Sequence, residues 1–170
     1  MSSEFRELLR KVGSGKHTSK GLTRPEAEQA LAMMLDGVAT PAQIGAFLIS
    51  HRIKRPTGSE LAGMLDCYDA RSQKLQPIAP DKTVYILGIP YDGRSRTAPV
   101  FPIIALLLKT MGIPVVLHGG DRLPTKYGLP QSEIWQNLGL PFQKFTVAQG
   151  QTFFEQEEFV FCYTPTFLPG

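Results

Sequence analysis

The fold is decided by TVYILGIPYDGRSR, residues 83–96, in which a β-type run passes directly into a glycine-bearing turn. An apolar helical run follows over about 99–111, so the segment predicts a strand, a turn and a helix. Backbone N–H groups are free in such a turn, and the helix N-terminus adds positive potential. Arg94 and Arg96 add guanidinium groups that suit phosphate oxygens. The segment therefore predicts a site for a phosphate-bearing ligand, with an ordinary turn bearing exposed arginines as the alternative.

Three helix starts of one kind precede this segment. Each is a capping box, in which a threonine is followed three residues later by Glu or Gln; they begin at Thr23, Thr40 and Thr57. We therefore expect a helical bundle over residues 1–75. We also expect the helix after Thr40 to bury Ile44, Phe47, Leu48 and Ile53.

The periodicity changes after a proline-bearing connection at 76–81. Strands are predicted over 83–87, 114–118 and 159–163, and helices over about 99–111, 130–138 and 151–158. Strands that alternate with helices pair in parallel. The predicted fold class is thus α + α/β, with a helical domain over 1–75 and the first part of an α/β domain with a parallel sheet over 82–170.

Composition excludes several classes of protein. No apolar run approaches the roughly 20 residues that span a bilayer, and the N-terminus does not resemble a signal peptide. Cys67 and Cys162 lie far apart without a CxxC motif, so we expect reduced cysteines and a cytoplasmic protein with no membrane partner.

The positive charge is unevenly spread, although the net charge is only +3. Residues 1–24 hold six basic side chains against two acidic ones, and Arg52, Lys54 and Arg55 form a second group. Two basic groups in a small domain indicate a face for a polyanion. The alternative is a solvated helix surface.

A second candidate binding segment ends the next strand, at His118-Gly119-Gly120-Asp121-Arg122. Ligands of α/β proteins bind where parallel strands end, and Arg122 could contact a phosphate there. His118 could contact a ligand or be structural. Lys126, in the following loop, could close over a phosphate or be an exposed loop lysine. We predict no metal site, because Asp121 is a single carboxylate, and no Ser-His-Asp or Cys-His catalytic arrangement is evident.

The helical segment from Leu31 to Leu48 resembles the N-terminal domain of the anthranilate phosphoribosyltransferase family, also called glycosyltransferase family 3. The order of linker, strand, glycine-bearing loop, helix and strand-His-Gly also resembles that family. The resemblance covers essentially the whole chain. It implies a phosphoribosyltransferase/nucleoside phosphorylase-like fold, of which this chain would be the N-terminal half.

The site motifs differ from those of the family enzymes. Where those carry Gly-Thr-Gly-Gly-Asp-Gly for the pyrophosphate of phosphoribosyl pyrophosphate, this chain keeps only Gly88, Asp92 and Gly93. The Asn-x-Ser-Thr element is lost at 98–102, and the Lys-His-Gly-Asn-Arg element keeps only its His-Gly pair and an arginine. Each lost donor would leave a buried pyrophosphate oxygen without a hydrogen bond, which costs about 1–3 kcal/mol of binding free energy. The resemblance thus implies a degenerate site whose phosphate-binding residues would be Gly88, Asp92, Gly93, Arg94, Arg96, His118, Gly119, Arg122 and Lys126.

One branch of this family is similar in having a degenerate site, basic helices and a homodimer that binds nucleic acid without evident catalysis. Residues 12–17 and 49–54 look most like that branch. The resemblance implies a homodimer through the helical domain and contacts to a phosphate backbone. The nucleic-acid-binding residues would be Lys11, Lys16, Lys20, Arg52, Lys54 and Arg55.

The alternative is a glycosyl- or phosphoribosyl-transferring enzyme that acts on a substrate other than anthranilate. It rests on the family residues that survive, which are Gly88, Asp92, Gly93, His118, Lys126 and Gly128. Such an enzyme would use magnesium with phosphoribosyl pyrophosphate. The sequence identifies no catalytic residue for it.

Overall fold

The computed structural model describes residues 2–15, 17–79, 81–88, 98–122 and 128–168. The chain divides into two compact units, a helical unit that ends at Ser72 and a sheet unit that begins at Gln73. The predicted fold class, helices followed by an α/β region with a parallel sheet, is confirmed.

The helical unit contains four helices whose starts follow from local sequence. The three threonine capping boxes are formed, each with the threonine oxygen accepting from the N3 backbone N–H. The helices are α1 (Ser3–Gly13), α2 (Arg24–Leu35), α3 (Pro41–Lys54) and α4 (Gly58–Arg71).

The core of the helical unit lies between these helices. Phe5 of α1 and Phe47 of α3 are fully buried, with ring centroids 5.5 Å apart. The expected burial of Leu48 and Ile53 is wrong, since these side chains are 55% and 75% exposed. The helical spacing correctly placed apolar residues along α3, but spacing alone does not show whether another element covers them.

Helices α2 and α4 pack at a glycine. A Cβ built on Gly63 would lie 2.0 Å from the carbonyl oxygen of Arg24, closer than any real contact allows. Gly63 therefore permits the backbones of α2 and α4 to approach.

The sheet unit contains three parallel strands in the order β1-β2-β3. Gly88 lies opposite His118, and His118 lies opposite Cys162. The elements in chain order are β1 (Tyr85–Gly88), α5 (Phe101–Thr110), β2 (Val115–Gly119), α6 (Gln131–Asn137), a 3-10 turn (Phe142–Lys144), α7 (Val147–Glu157), β3 (Phe159–Tyr163) and α8 (Thr164–Phe167).

Aromatic side chains fill the core of the sheet unit. The Trp135 ring packs against Phe142 and Phe159, with centroids 6.1 Å and 5.0 Å apart. Helix α7 begins at Val147 and not near 151, because Thr146 and Gln149 form a fourth capping box that the sequence analysis did not use.

Cys67 and Cys162 are free and buried. Burial raises the pKa of the Cys162 thiol to about 12, so this side chain behaves as a small apolar residue at neutral pH. Among the described helices, none has the length and apolar character needed to cross a membrane.

We predict that Gly63→Ala destabilises the protein by more than about 2 kcal/mol, because the new methyl group overpacks the α2–α4 contact. Urea unfolding measures this change. Gly45→Ala is the matched control in α3, where no atom lies within 4 Å of a new Cβ. We expect this control to stabilise the protein by about 0.5–1 kcal/mol. Equal stability of the two variants would contradict the close approach.

Candidate functional site

The carboxyl ends of β1 and β2 bring two predicted site residues together. Gly88 and His118 are register partners, and a Cβ built on Gly88 would lie 2.9 Å from His118 Nε2. The imidazole therefore lies close to Gly88, and a side chain at position 88 would require the imidazole to move. His118 itself is exposed, so its ring is accessible to a ligand at this edge.

Of the other predicted phosphate-binding residues, the structure describes Gly119 and Arg122. Gly119 ends β2, next to His118. The Arg122 guanidinium lies 2.9 Å from the Glu133 carboxylate and is half exposed, so an anion would compete with that carboxylate. The predicted contacts from Asp92, Gly93, Arg94, Arg96 and Lys126 lie outside the described residues.

Hydrogen bonds position the segment that follows β2. The Tyr163 hydroxyl, at the end of β3, donates to the Asp121 carboxylate. This bond is the main reason why the pKa of Tyr163 rises to about 12, so the phenol keeps its proton at neutral pH. The Ser132 hydroxyl donates to the Gly120 carbonyl at 3.1 Å. Within the parts of the chain that the structure describes, no three His, Cys, Asp or Glu side chains are grouped so as to hold a metal ion.

A second candidate site lies in the helical unit, around the carboxylate of Glu60. This side chain is fully buried. Its Oε1 accepts the N–H of Leu22 at 2.8 Å, and its Oε2 accepts the N–H of Thr57 at 2.7 Å and the ammonium of Lys54 at 2.8 Å. Burial alone would raise the pKa of Glu60, but these hydrogen bonds outweigh it and lower the pKa to about 2. The carboxylate is thus ionised at neutral pH and held by three segments of the chain.

A buried histidine lies beside this network. His51 Nε2 lies 3.4 Å from Glu60 Oε1, and the imidazole stacks on Phe47 with centroids 5.4 Å apart. Burial lowers the pKa of His51, and the nearby Lys54 acts in the same direction, while Glu60 opposes it. His51 is therefore neutral at pH 7 and adds no positive charge to a binding surface.

Glu60 joins the two basic groups that the sequence separates. Leu22 lies two residues after Lys20, and Lys54 lies between Arg52 and Arg55. Because Leu22 and Lys54 bind the same carboxylate, Lys20, Arg52 and Arg55 each lie within two residues of a Glu60 ligand. We call these three exposed side chains the basic cluster.

Two of the remaining predicted nucleic-acid contacts, Lys54 and Lys11, have carboxylate partners within the protein. Lys54 is only 12% exposed and is neutralised by Glu60, which makes it a structural residue. The Lys11 ammonium lies 2.5 Å from Glu26 and is partly exposed. Arg10, Lys11 and Lys20 line one groove of about 540 Å³ with Glu7 and Glu26. Lys16 lies outside the described residues.

Comparison with known proteins agrees with this architecture. The family model described as "Glycosyl transferase family, helical bundle domain" matches residues 6–72. Protein YbiB of Escherichia coli K12 is 32% identical over 72% of this chain and 38% of its own length. Anthranilate phosphoribosyltransferase of Afipia carboxidovorans is 32% identical over 81% of this chain and 38% of its own length. The chain belongs to the anthranilate phosphoribosyltransferase-like family.

Solved structures of this family share the fold. The crystal structure of anthranilate phosphoribosyltransferase (TrpD) from Thermus thermophilus matches with a TM-score of 0.77 and 16% identity, over 99% of this chain and 47% of that one. The Saccharomyces cerevisiae enzyme, determined in complex with PRPP and Mg, matches with a TM-score of 0.76 and 16% identity over 99% of this chain and 48% of that one. The chain thus spans less than half the length of these relatives.

Sequence reasoning missed two participants in these sites. Glu60 was missed because its place as the last residue of a capping box already explained a glutamate there. Its hydrogen bonds to Leu22 and Lys54 span 38 and 6 residues of sequence, and the capping pattern does not predict them. The contact of Tyr163 with Asp121 was predictable from the sheet. Tyr163 ends β3, Asp121 closely follows the end of β2, and these two parallel strands end at the same edge of the sheet. No local motif marks either interaction.

We predict that Glu60→Gln destabilises the protein by about 3 kcal/mol at pH 7, because a neutral amide leaves Lys54 unpaired. The folded pKa of Glu60 is below its unfolded value of 4.5, so the ionised group stabilises the fold above about pH 4.5. That contribution declines as the pH falls from 4.5 towards 2. The difference in unfolding free energy between the unmodified protein and Glu60→Gln should therefore shrink over this range. Urea unfolding across the acidic range measures it.

Glu7→Gln is the matched control for this substitution. Glu7 pairs with Arg10 on the exposed surface of α1, where such pairs contribute at most about 1 kcal/mol. Equal effects of the two substitutions at neutral pH would contradict the role of Glu60.

Proposed function

We propose that this anthranilate phosphoribosyltransferase-like protein binds nucleic acid through the basic cluster of its helical unit, and that its phosphoribosyl pyrophosphate site is degenerate. The supporting observation is the Glu60 network, which ties the segment of Lys20 to the segment of Arg52 and Arg55. Exposed cations on chain segments that a buried carboxylate holds together would form a preorganised surface for a phosphate backbone. Among the described residues, these three side chains have no carboxylate partner.

The degenerate site is supported by sequence at the end of β1. The Thr-Gly-Gly and Asn-x-Ser-Thr residues expected of the family enzymes are absent at 89–91 and 98–102, while Gly88 and His118 are present and are register partners in β1 and β2. A site of this kind could still bind a phosphate group. We therefore assign recognition of the polyanion to the helical unit and at most an anion contact to the sheet unit.

We predict that Lys20→Ala combined with Arg52→Ala weakens binding of a single-stranded DNA oligonucleotide by roughly tenfold and lowers its salt dependence. Fluorescence polarisation at about 50 mM and about 200 mM salt measures both quantities. Lys82→Ala combined with Lys144→Ala removes the same charge from the sheet unit and should leave binding nearly unchanged. Absence of binding by the unmodified protein at low salt would refute the proposal.

A second candidate function is transfer of a glycosyl or phosphoribosyl group to a substrate other than anthranilate. The contact between Gly88 and His118 at the strand ends favours it. When bound, magnesium would neutralise the pyrophosphate, while Gly88 would let the ligand approach the backbone and His118 would donate a hydrogen bond. Titration calorimetry with phosphoribosyl pyrophosphate and magnesium distinguishes the two candidate functions. Saturable binding would support group transfer, and the absence of binding heat would support the degenerate site.

We further propose that the protein is a homodimer through the helical unit. Leu61, Leu65 and Tyr68 recur at helical spacing on α4 and are all exposed, as are Leu48 and Ile53 of α3. Apolar side chains that share a helix face and remain exposed are typical of an interface.

We predict that Leu65→Glu shifts the protein from dimer to monomer in sedimentation velocity, because the carboxylate would be buried in the interface. Leu138→Glu is the control, since Leu138 is equally exposed but lies in the sheet unit. A dimer that survives Leu65→Glu would contradict this interface.

A further inference from the structure

Helix α6 carries two buried polar atoms that have no hydrogen-bond partner among the described residues. They are Nε1 of Trp135 and Oε1 of Gln131, whose side chains are 1% and 7% exposed. The third buried polar side chain of this helix, Ser132, is satisfied, because its hydroxyl donates to the Gly120 carbonyl at 3.1 Å. Buried polar atoms are paired in the large majority of cases, since an unpaired one has lost its hydrogen bonds to solvent. These two atoms therefore require a partner.

The two unpaired atoms belong to neighbouring side chains on one face of α6. Gln131 and Trp135 are four residues apart in this helix, so their Cβ atoms are about 5–6 Å apart. The indole N–H only donates a hydrogen bond, and the carboxamide oxygen only accepts one. The pair thus presents one donor and one acceptor, separated by a single turn of helix.

The chemistry of this pair selects the molecule that it binds. An anion would face the carboxamide oxygen and a cation would face the indole N–H, so a neutral molecule that both accepts and donates fits best. The molecule must also be small, because neither atom is accessible to solvent and the indole ring packs against Phe142 and Phe159. Water meets both conditions, and internal waters typically bind polar groups that are otherwise unpaired.

We infer that α6 binds an internal water molecule, which accepts the N–H of Trp135 and donates to Oε1 of Gln131. With this water and the Ser132–Gly120 bond, the three buried polar side chains of α6 each have a partner. The site lies within the sheet unit and is independent of nucleic-acid binding by the helical unit.

Trp135 reports on this site directly, because it is the only tryptophan in the chain. In the isotopically labelled full chain, we expect a rotating-frame Overhauser contact between water and the indole Nε1 proton. Such a contact differs in sign from the signal that proton exchange with solvent gives. The inference would be refuted by the absence of the contact, or by a signal with the sign of exchange alone.

Gln131→Met tests the bridge between the two side chains. Methionine is similar in length but apolar, so the water loses its acceptor. We expect the water contact to disappear and the indole proton to shift upfield, because its hydrogen bond is lost. Gln136→Met is the matched control on the exposed side of α6 and should change neither signal.

Each variant has a contrary result. A water contact that persists in Gln131→Met would refute the bridge, and so would equal losses in Gln131→Met and Gln136→Met. The backbone amide spectrum of each variant verifies that it is folded. If Gln131→Met does not fold, the measurement on the unmodified chain still decides whether water lies against the indole N–H.

Discussion

The buried carboxylate of Glu60 is the constraint on which the helical unit depends. An ionised group without solvent requires strong partners, and Glu60 obtains them from Leu22, Lys54 and Thr57. These partners belong to the segment before α2, the end of α3 and the start of α4. One carboxylate therefore links three chain segments.

This constraint separates structural cations from available ones. Lys54 is neutralised inside the protein, and Lys11 is partly neutralised by Glu26, whereas Lys20, Arg52 and Arg55 remain exposed. A count of basic residues would treat all of them alike. In the sheet unit the same distinction applies to Arg122, whose guanidinium is already bound to Glu133. The electrostatic surface thus depends on which cations the protein uses for its own stability.

The sequence predicted features that depend on neighbouring residues. Capping boxes located the starts of α2, α3 and α4, and the rule that parallel strands end at one edge brought Gly88 beside His118. The burial of Leu48 and Ile53 was mispredicted because periodicity identifies an apolar face but not what covers it. The role of Glu60 could not be predicted, because its bond to Leu22 crosses 38 residues and its capping role already explained it. The positive φ of Arg55, which is 69°, depends on the path of the chain between α3 and α4, and sequence spacing does not specify that path.

We propose that Glu60 brings two basic segments that are distant in sequence into one binding surface. Titration of the isotopically labelled protein with single-stranded DNA, followed by backbone amide chemical shifts, tests it most directly. We predict that the amide signals of residues 19–22 and 52–57 shift together along one binding curve, while those of Gly88 and His118 remain nearly unchanged. Shifts confined to one of the two basic segments, or centred on the strand ends, would contradict it.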